Sequence, residues 1–152
     1  MAGRFFEDFS VGEVIESPET YEITAENLHA FATEFDPQPM HLDDRAARGS
    51  FFGELVTSGW QTLAITMRLM VLSPLFASGE VVGVGVDNLR WLAPVVPGSR
   101  LRARAEVVEV KTSRTRPERG FMKLHVTTLD ANDLPVASQD WTVMVPRRPQ
   151  LS

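Results

Sequence analysis

The segment from Gly59 to Leu72 constrains this chain more than any other. Trp60, Leu63, Ala64, Met67, Met70 and Val71 recur at the spacing of one helical face. Ile65, Leu69 and Leu72 carry the apolar surface nearly all the way round. A helix with so little polar surface is expected to be buried, not laid on a surface. Ser58 stands at its N-cap position, and Ser73-Pro74 forbids its continuation. At 152 residues the chain is one domain by length.

Beyond the helix the chain reads as strand. Val81–Trp91 is valine-rich, with glycines at 83 and 85 that suit a bend or a close backbone approach. Arg100–Lys111 alternates, with Leu101, Ala103, Ala105 and Val107 on one face and arginines on the other. At Val107-Val108 the phase slips, as a β-bulge or a passage into a subunit contact would require. Phe121–Leu129 and Pro135–Val145 come next, joined by polar turns, so the last strands form an antiparallel meander. The tail after Pro146 is expected to be loose.

Ahead of the helix, Phe5, Phe6 and Phe9 suggest a loop pinned by aromatics, leading to a short strand near Thr20–Ile23. Thr24 then caps a helix over Ala25–Phe35, which ends where Asp36-Pro37 begins. His29 lies one position off the apolar stripe and is expected at the surface. The run Asp36-Pro37-Gln38-Pro39-Met40-His41 holds a carboxylate and an imidazole on a stiff turn. Two readings of these residues stand side by side. The turn is a proton-transfer site, or Asp36-Pro37 opens a turn and His41, Asp43 and Asp44 start a short helix that Gly49 stops. Phe51 and Phe52, in a glycine-flanked loop, either plug the core or line a tunnel. Gly59 is either a close-approach point for a ligand at a helix N-terminus or a glycine in a tightly packed first turn.

The run closely resembles the signature of the MaoC-like, (R)-specific enoyl-CoA hydratases, which reads roughly Asp-x-Asn-Pro-x-His. Asp36, Pro39 and His41 fall on the family's positions, and Gln38 stands where Asn is usual. The resemblance extends over most of the chain. It implies an α+β hot-dog domain, a curved antiparallel sheet wrapped around a buried central helix, with residues 1–10 and 146–152 peripheral. It further implies a hydro-lyase that reversibly hydrates trans-2-enoyl thioesters to (R)-3-hydroxyacyl thioesters. Asp36 and His41 would be the acid–base pair, and the Gly59 N–H would bind the thioester carbonyl. Gln38, Phe51, Phe52, Ser58 and Trp60 would line the substrate. No metal or redox cofactor is implied, and coenzyme A or an acyl carrier would be the handle of the substrate. A hot-dog thioesterase and a non-catalytic acyl-binding subunit are the alternatives. Both Asp36 and His41 are present, which favours the hydratase.

Composition narrows the partners. The formal net charge of -5 argues against a general nucleic-acid binder. The absence of cysteine excludes disulfides and thiolate chemistry. Met1–Phe9 has no long apolar run, and Trp60–Leu72 is too short to cross a bilayer, so the cytoplasm is the expected compartment. Arg100, Arg102 and Arg104, or Arg114, Arg116 and Arg119, are either contacts for coenzyme A phosphates or solvated strand faces. One sheet leaves an edge and a helix face uncovered, so a homodimer or larger homo-oligomer is expected.

Overall fold

The computed structural model describes residues 3–77 and 79–150. Three helices, α1 (Ala25–Phe35), α2 (Asp44–Arg48) and α3 (Gly59–Val71), precede most of the sheet. The strands are β1 (Val14–Glu16), β2 (Tyr21–Glu22), β3 (Val82–Trp91), β4 (Arg100–Thr112), β5 (Arg119–Leu129) and β6 (Pro135–Pro146). They form one antiparallel sheet in the order β1-β4-β5-β6-β3, with β2 also paired to β4. This is the α+β hot-dog arrangement, with α3 packed on the inner face of the sheet.

Each helix begins and ends for a local reason. The Thr24 hydroxyl accepts from Asn27 N–H at 3.0 Å while the Asn27 side chain accepts from Thr24 N–H at 3.0 Å, a reciprocal cap for α1. Asp36 closes α1 by donating its N–H to Ala32 O at 3.0 Å, and Pro37 cannot extend the ladder. Asp43 caps α2 through Arg45 N–H at 2.8 Å. Ser58 Oγ caps α3 through Trp60 N–H at 3.3 Å.

The face of α3 that enters the core differs from the expected one. Gln61, Thr62, Ile65, Thr66, Leu69 and Met70 are buried, whereas Trp60, Ala64, Met67 and Val71 are exposed in the single chain. The polar side chains inside find partners for Thr66 Oγ1 and Gln61 Nε2, while Gln61 Oε1 is buried without one. Thr66 Oγ1 meets Thr128 Oγ1 of β5 and donates to Thr62 O at 2.8 Å. Gln61 Nε2 donates to Asn27 O at 3.2 Å. The core beneath includes Ile65, Leu69 and Met70 with Leu101, Ala103, Ala105 and Val107 of β4 and Leu124 and Val126 of β5. Each fully buried Leu, Val or Met contributes roughly 1.5–3 kcal/mol.

Three further features have physical causes. The phase slip in β4 is a β-bulge between Val107 and Glu109. The bulge leaves Val108 exposed and returns Val110 to partial burial against the core, so no subunit contact is needed to explain the slip. Val14-Ile15, which follow the aromatics and read from sequence as part of their loop, lie instead in an edge strand, Val14–Glu16, paired with Glu106–Arg104. The tail through Arg148 is tied down, not loose. Arg147 Nε donates to Glu7 Oε1 at 3.0 Å, and Arg148 pairs with both oxygens of Asp8 at 2.6 and 2.7 Å.

Candidate active site

Two short chain segments build the site. The first is the turn after α1, where Gln38 N–H donates to Asp36 O at 2.8 Å and His41 N–H to Gln38 O at 2.9 Å. The second is Val56–Gly59, the lead into α3 with its first residue, anchored where Thr57 N–H donates to Val95 O at 2.7 Å. Prolines at 37 and 39 stiffen the first, and the Ser58 cap fixes the second.

These segments lock both proton-transfer candidates. His41 is buried, and its Nδ1 lies 2.7 Å from Val56 O. A carbonyl only accepts, so Nδ1 carries the proton and Nε2 of the neutral ring is left with a lone pair. That Nε2 lies 3.4 Å from Asp36 Oδ2. The distance is long for a direct hydrogen bond, and both atoms are acceptors when the ring is neutral. A water lying to one side, within reach of both atoms, could donate one proton to each.

Asp36 is held as a carboxylate. Gln38 Nε2 donates to Oδ1 at 2.7 Å and Ser58 Oγ to Oδ2 at 2.7 Å. Partial burial pushes its pKa up, but these two hydrogen bonds, joined by the charge of His41 whenever its ring is protonated, outweigh burial and hold it below the ordinary aspartate value. Gln38 thus reaches the carboxylate despite its extra methylene.

The pair opens into a cleft of about 460 Å³ whose walls include Met40, Phe51, Phe52, Gly59, Trp60 and Trp91. Among the described residues no group accepts from the Gly59 N–H, which stands in the first turn of α3 beside the pair. Donors of this kind favour an anionic or polarised oxygen. Phe51 is 96% exposed and packs edge-on against Phe52, with ring centroids 5.3 Å apart. Ser58 is wholly buried behind the wall, so it orients Asp36 and does not line the cleft.

Sequence reasoning missed Trp91. It ends β3, and its indole presses on Gly59: a Cβ added there would lie 2.6 Å from Trp91 Cε2. A close approach between positions 32 residues apart leaves no local signal. Of the arginines proposed for phosphates, none lines the cleft. Arg100 pairs with Glu22 at 3.3 Å, Arg102 with Asp133 at 2.7 Å and Arg119 with Glu80 at 2.9 Å. His29 is exposed on α1. Among the described residues no three His, Asp or Glu side chains converge in a way that would hold a metal ion, and no helix is long and apolar enough to span a membrane.

The chain is similar to known proteins along its length. A MaoC-like dehydratase from Rhodospirillum rubrum is 41% identical in sequence and superposes with a TM-score of 0.92, over 97% of this chain and all of that one. The 3-hydroxyacyl-thioester dehydratase Z of Mycobacterium tuberculosis is 31% identical over 67% of this chain and 69% of its own length. The (R)-hydratase PhaJ1 of Pseudomonas aeruginosa shares the fold at 24% identity, with a TM-score of 0.73 over 97% of this chain and 91% of that one. The model of the MaoC-like domain matches residues 8–128, which include the Asp36–His41 turn and Gly59, and the chain belongs to that family.

Proposed function

We propose that the protein reversibly hydrates trans-2-enoyl thioesters to (R)-3-hydroxyacyl thioesters. The observation that carries this reading is the facing of Asp36 Oδ2 and His41 Nε2 across 3.4 Å, with the other ring nitrogen on Val56 O. A water held within reach of both gives up a proton as its O–H bond breaks and its oxygen attacks the β-carbon. The same pair returns a proton to the α-carbon. One C–O and one C–H bond form, the C=C π bond breaks, and the pair ends as it began. Both new bonds arise from one side of the substrate, so addition is syn. The developing enolate oxygen needs a donor, which is the role of the Gly59 N–H. Coenzyme A or an acyl carrier is the handle of the substrate, and the chemistry calls on no metal or redox group.

The protein would act as a homodimer or larger homo-oligomer. Among the described residues β3 pairs with β6 alone, so its other edge is open, and Val82, Val84 and Val86 of that strand are exposed. A monomer mass by light scattering at micromolar concentration would contradict this assembly. The activity itself is tested with crotonyl-CoA. Loss of enoyl absorbance with formation of (R)-3-hydroxybutyryl-CoA is expected. Release of free thiol without hydration would instead assign a thioesterase, and an inert substrate would reject the reading.

A further inference from the structure

The segment Val56–Gly59 offers one polar group per residue to the catalytic site, and one of them has no task so far. The Val56 carbonyl accepts from His41 Nδ1 at 2.7 Å, and the Ser58 hydroxyl donates to Asp36 Oδ2 at 2.7 Å. Among the described residues the Gly59 N–H has no acceptor. Thr57 also lines the cleft. It is only 6% exposed, and among the described residues its hydroxyl has no hydrogen-bond partner. Gln61 Oε1 and Arg119 Nη1 are buried in the same condition, but neither residue lines the cleft.

The backbone holds the Thr57 hydroxyl in place. The peptide between Val56 and Thr57 is gripped on both sides, its oxygen by His41 Nδ1 and its N–H by Val95 O, each at 2.7 Å. A β-branched side chain also has little freedom about χ1. A buried hydroxyl without a partner costs stability, because it has given up water for nothing. Such a cost is expected at functional sites, where the bound ligand supplies the missing partner.

We propose that the Thr57 hydroxyl is a second donor to the thioester carbonyl, beside the Gly59 N–H. Thr57 and Gly59 are two positions apart in sequence, so their Cα atoms lie within about 7 Å of each other. A carbonyl oxygen has lone pairs for two donors. The attacking water is set by a different pair, Asp36 Oδ2 and His41 Nε2, which accept both of its protons. Charge gathers on the carbonyl oxygen as the enolate develops, so the second donor binds the transition state more tightly than the substrate. The inference rests on the thioester reading above.

The test compares wild type, Thr57→Val and Thr57→Ser. Turnover of crotonyl-CoA is measured beside the infrared carbonyl stretch of bound butyryl-CoA, an unreactive thioester labelled with carbon-13 at its carbonyl. Thr57→Val keeps the shape of the side chain and removes the hydroxyl. Its kcat should fall by about 10²-fold with KM little changed, and its carbonyl stretch should move back toward the free value. The melting temperature of the unliganded variant should hold or rise, since an unpaired hydroxyl is removed. Thr57→Ser should recover most of the turnover and of the carbonyl shift. An unchanged kcat and stretch in Thr57→Val, beside an active wild type, overturn the proposal and leave the hydratase reading standing. A lower kcat with an unchanged stretch overturns it too, as a role in packing or in holding the water would give. Should wild type bind butyryl-CoA but hydrate no enoyl thioester, the hydratase reading fails, and the carbonyl stretch alone decides the role of Thr57. A wild type that neither hydrates crotonyl-CoA nor binds butyryl-CoA overturns both.

Discussion

Replacing Ser58 with Ala probes the device that keeps Asp36 ionised. The Ser58 hydroxyl donates to Asp36 Oδ2 at 2.7 Å and accepts from Trp60 N–H at 3.3 Å, so the substitution removes two interactions. A hydrogen bond to a charged group contributes about 1.5–3 kcal/mol. Because the Asp36 side chain retains 16% of its exposure, water replaces part of the lost donor and the low end applies. Loss of an N-cap adds about 0.5–2 kcal/mol. At roughly 2–4 °C per kcal/mol for a chain of this length, the melting temperature should drop by about 4–14 °C at neutral pH.

The two losses differ in their pH dependence. The folded-state pKa of Asp36 is depressed, so the stability it contributes is present above the unfolded carboxylate pKa. That stability is lost as pH falls through the folded value. The Ser58–carboxylate bond should therefore vanish from the comparison in acid, while the helix cap should not. We expect the melting deficit of Ser58→Ala to narrow between pH 7 and pH 3. A carboxyl NMR titration should show the Asp36 midpoint moving upward in the variant. A midpoint that does not rise, or a deficit independent of pH, would refute the role given to Ser58.

Two other substitutions probe the packing. Gly59→Ala must push the Trp91 indole aside, and because that ring is half exposed the melting temperature should change by only about 1 kcal/mol in equivalent stability while crotonyl-CoA turnover falls by about 10²-fold; intact turnover would leave Gly59 a packing residue. Thr66→Val strands the buried Thr128 hydroxyl and should cost about 1–3 kcal/mol in chemical denaturation, whereas Thr66→Val with Thr128→Val should recover most of that loss; equal deficits in single and double variants would contradict the pairing.

Local chemistry made much of this fold legible. The bounds of α1 follow from Thr24 and Asp36-Pro37, and the Asp36–His41 turn was visible because two prolines and a family motif coincide there. The inner face of α3 was not legible. Periodicity counts Thr66 and Gln61 as outward-facing, yet their partners, Thr128 and Asn27, lie 62 and 34 residues away. The tail was misjudged for the same reason, since Arg148 finds Asp8 across 140 residues. The tautomer of His41 depends on Val56 O, and Trp91 reaches the site only through the end of β3. Sequence patterns report what neighbours along the chain require of each other, and these features are made by groups that only the fold brings together.

The central claim is that Asp36 and His41 act as one proton-transfer unit on a shared water. Hydration of crotonyl-CoA by Asp36→Asn, His41→Ala and the double variant tests it most directly. A positioned acid–base group contributes about 10²–10⁴-fold to rate, and groups that act as a unit are strongly non-additive. Each single variant should therefore lose about 10²–10⁴-fold in kcat with its circular dichroism unchanged, and the double variant should lose no more than the worse single. Near wild-type turnover in either single variant, or a double loss equal to the product of the two, would contradict the account.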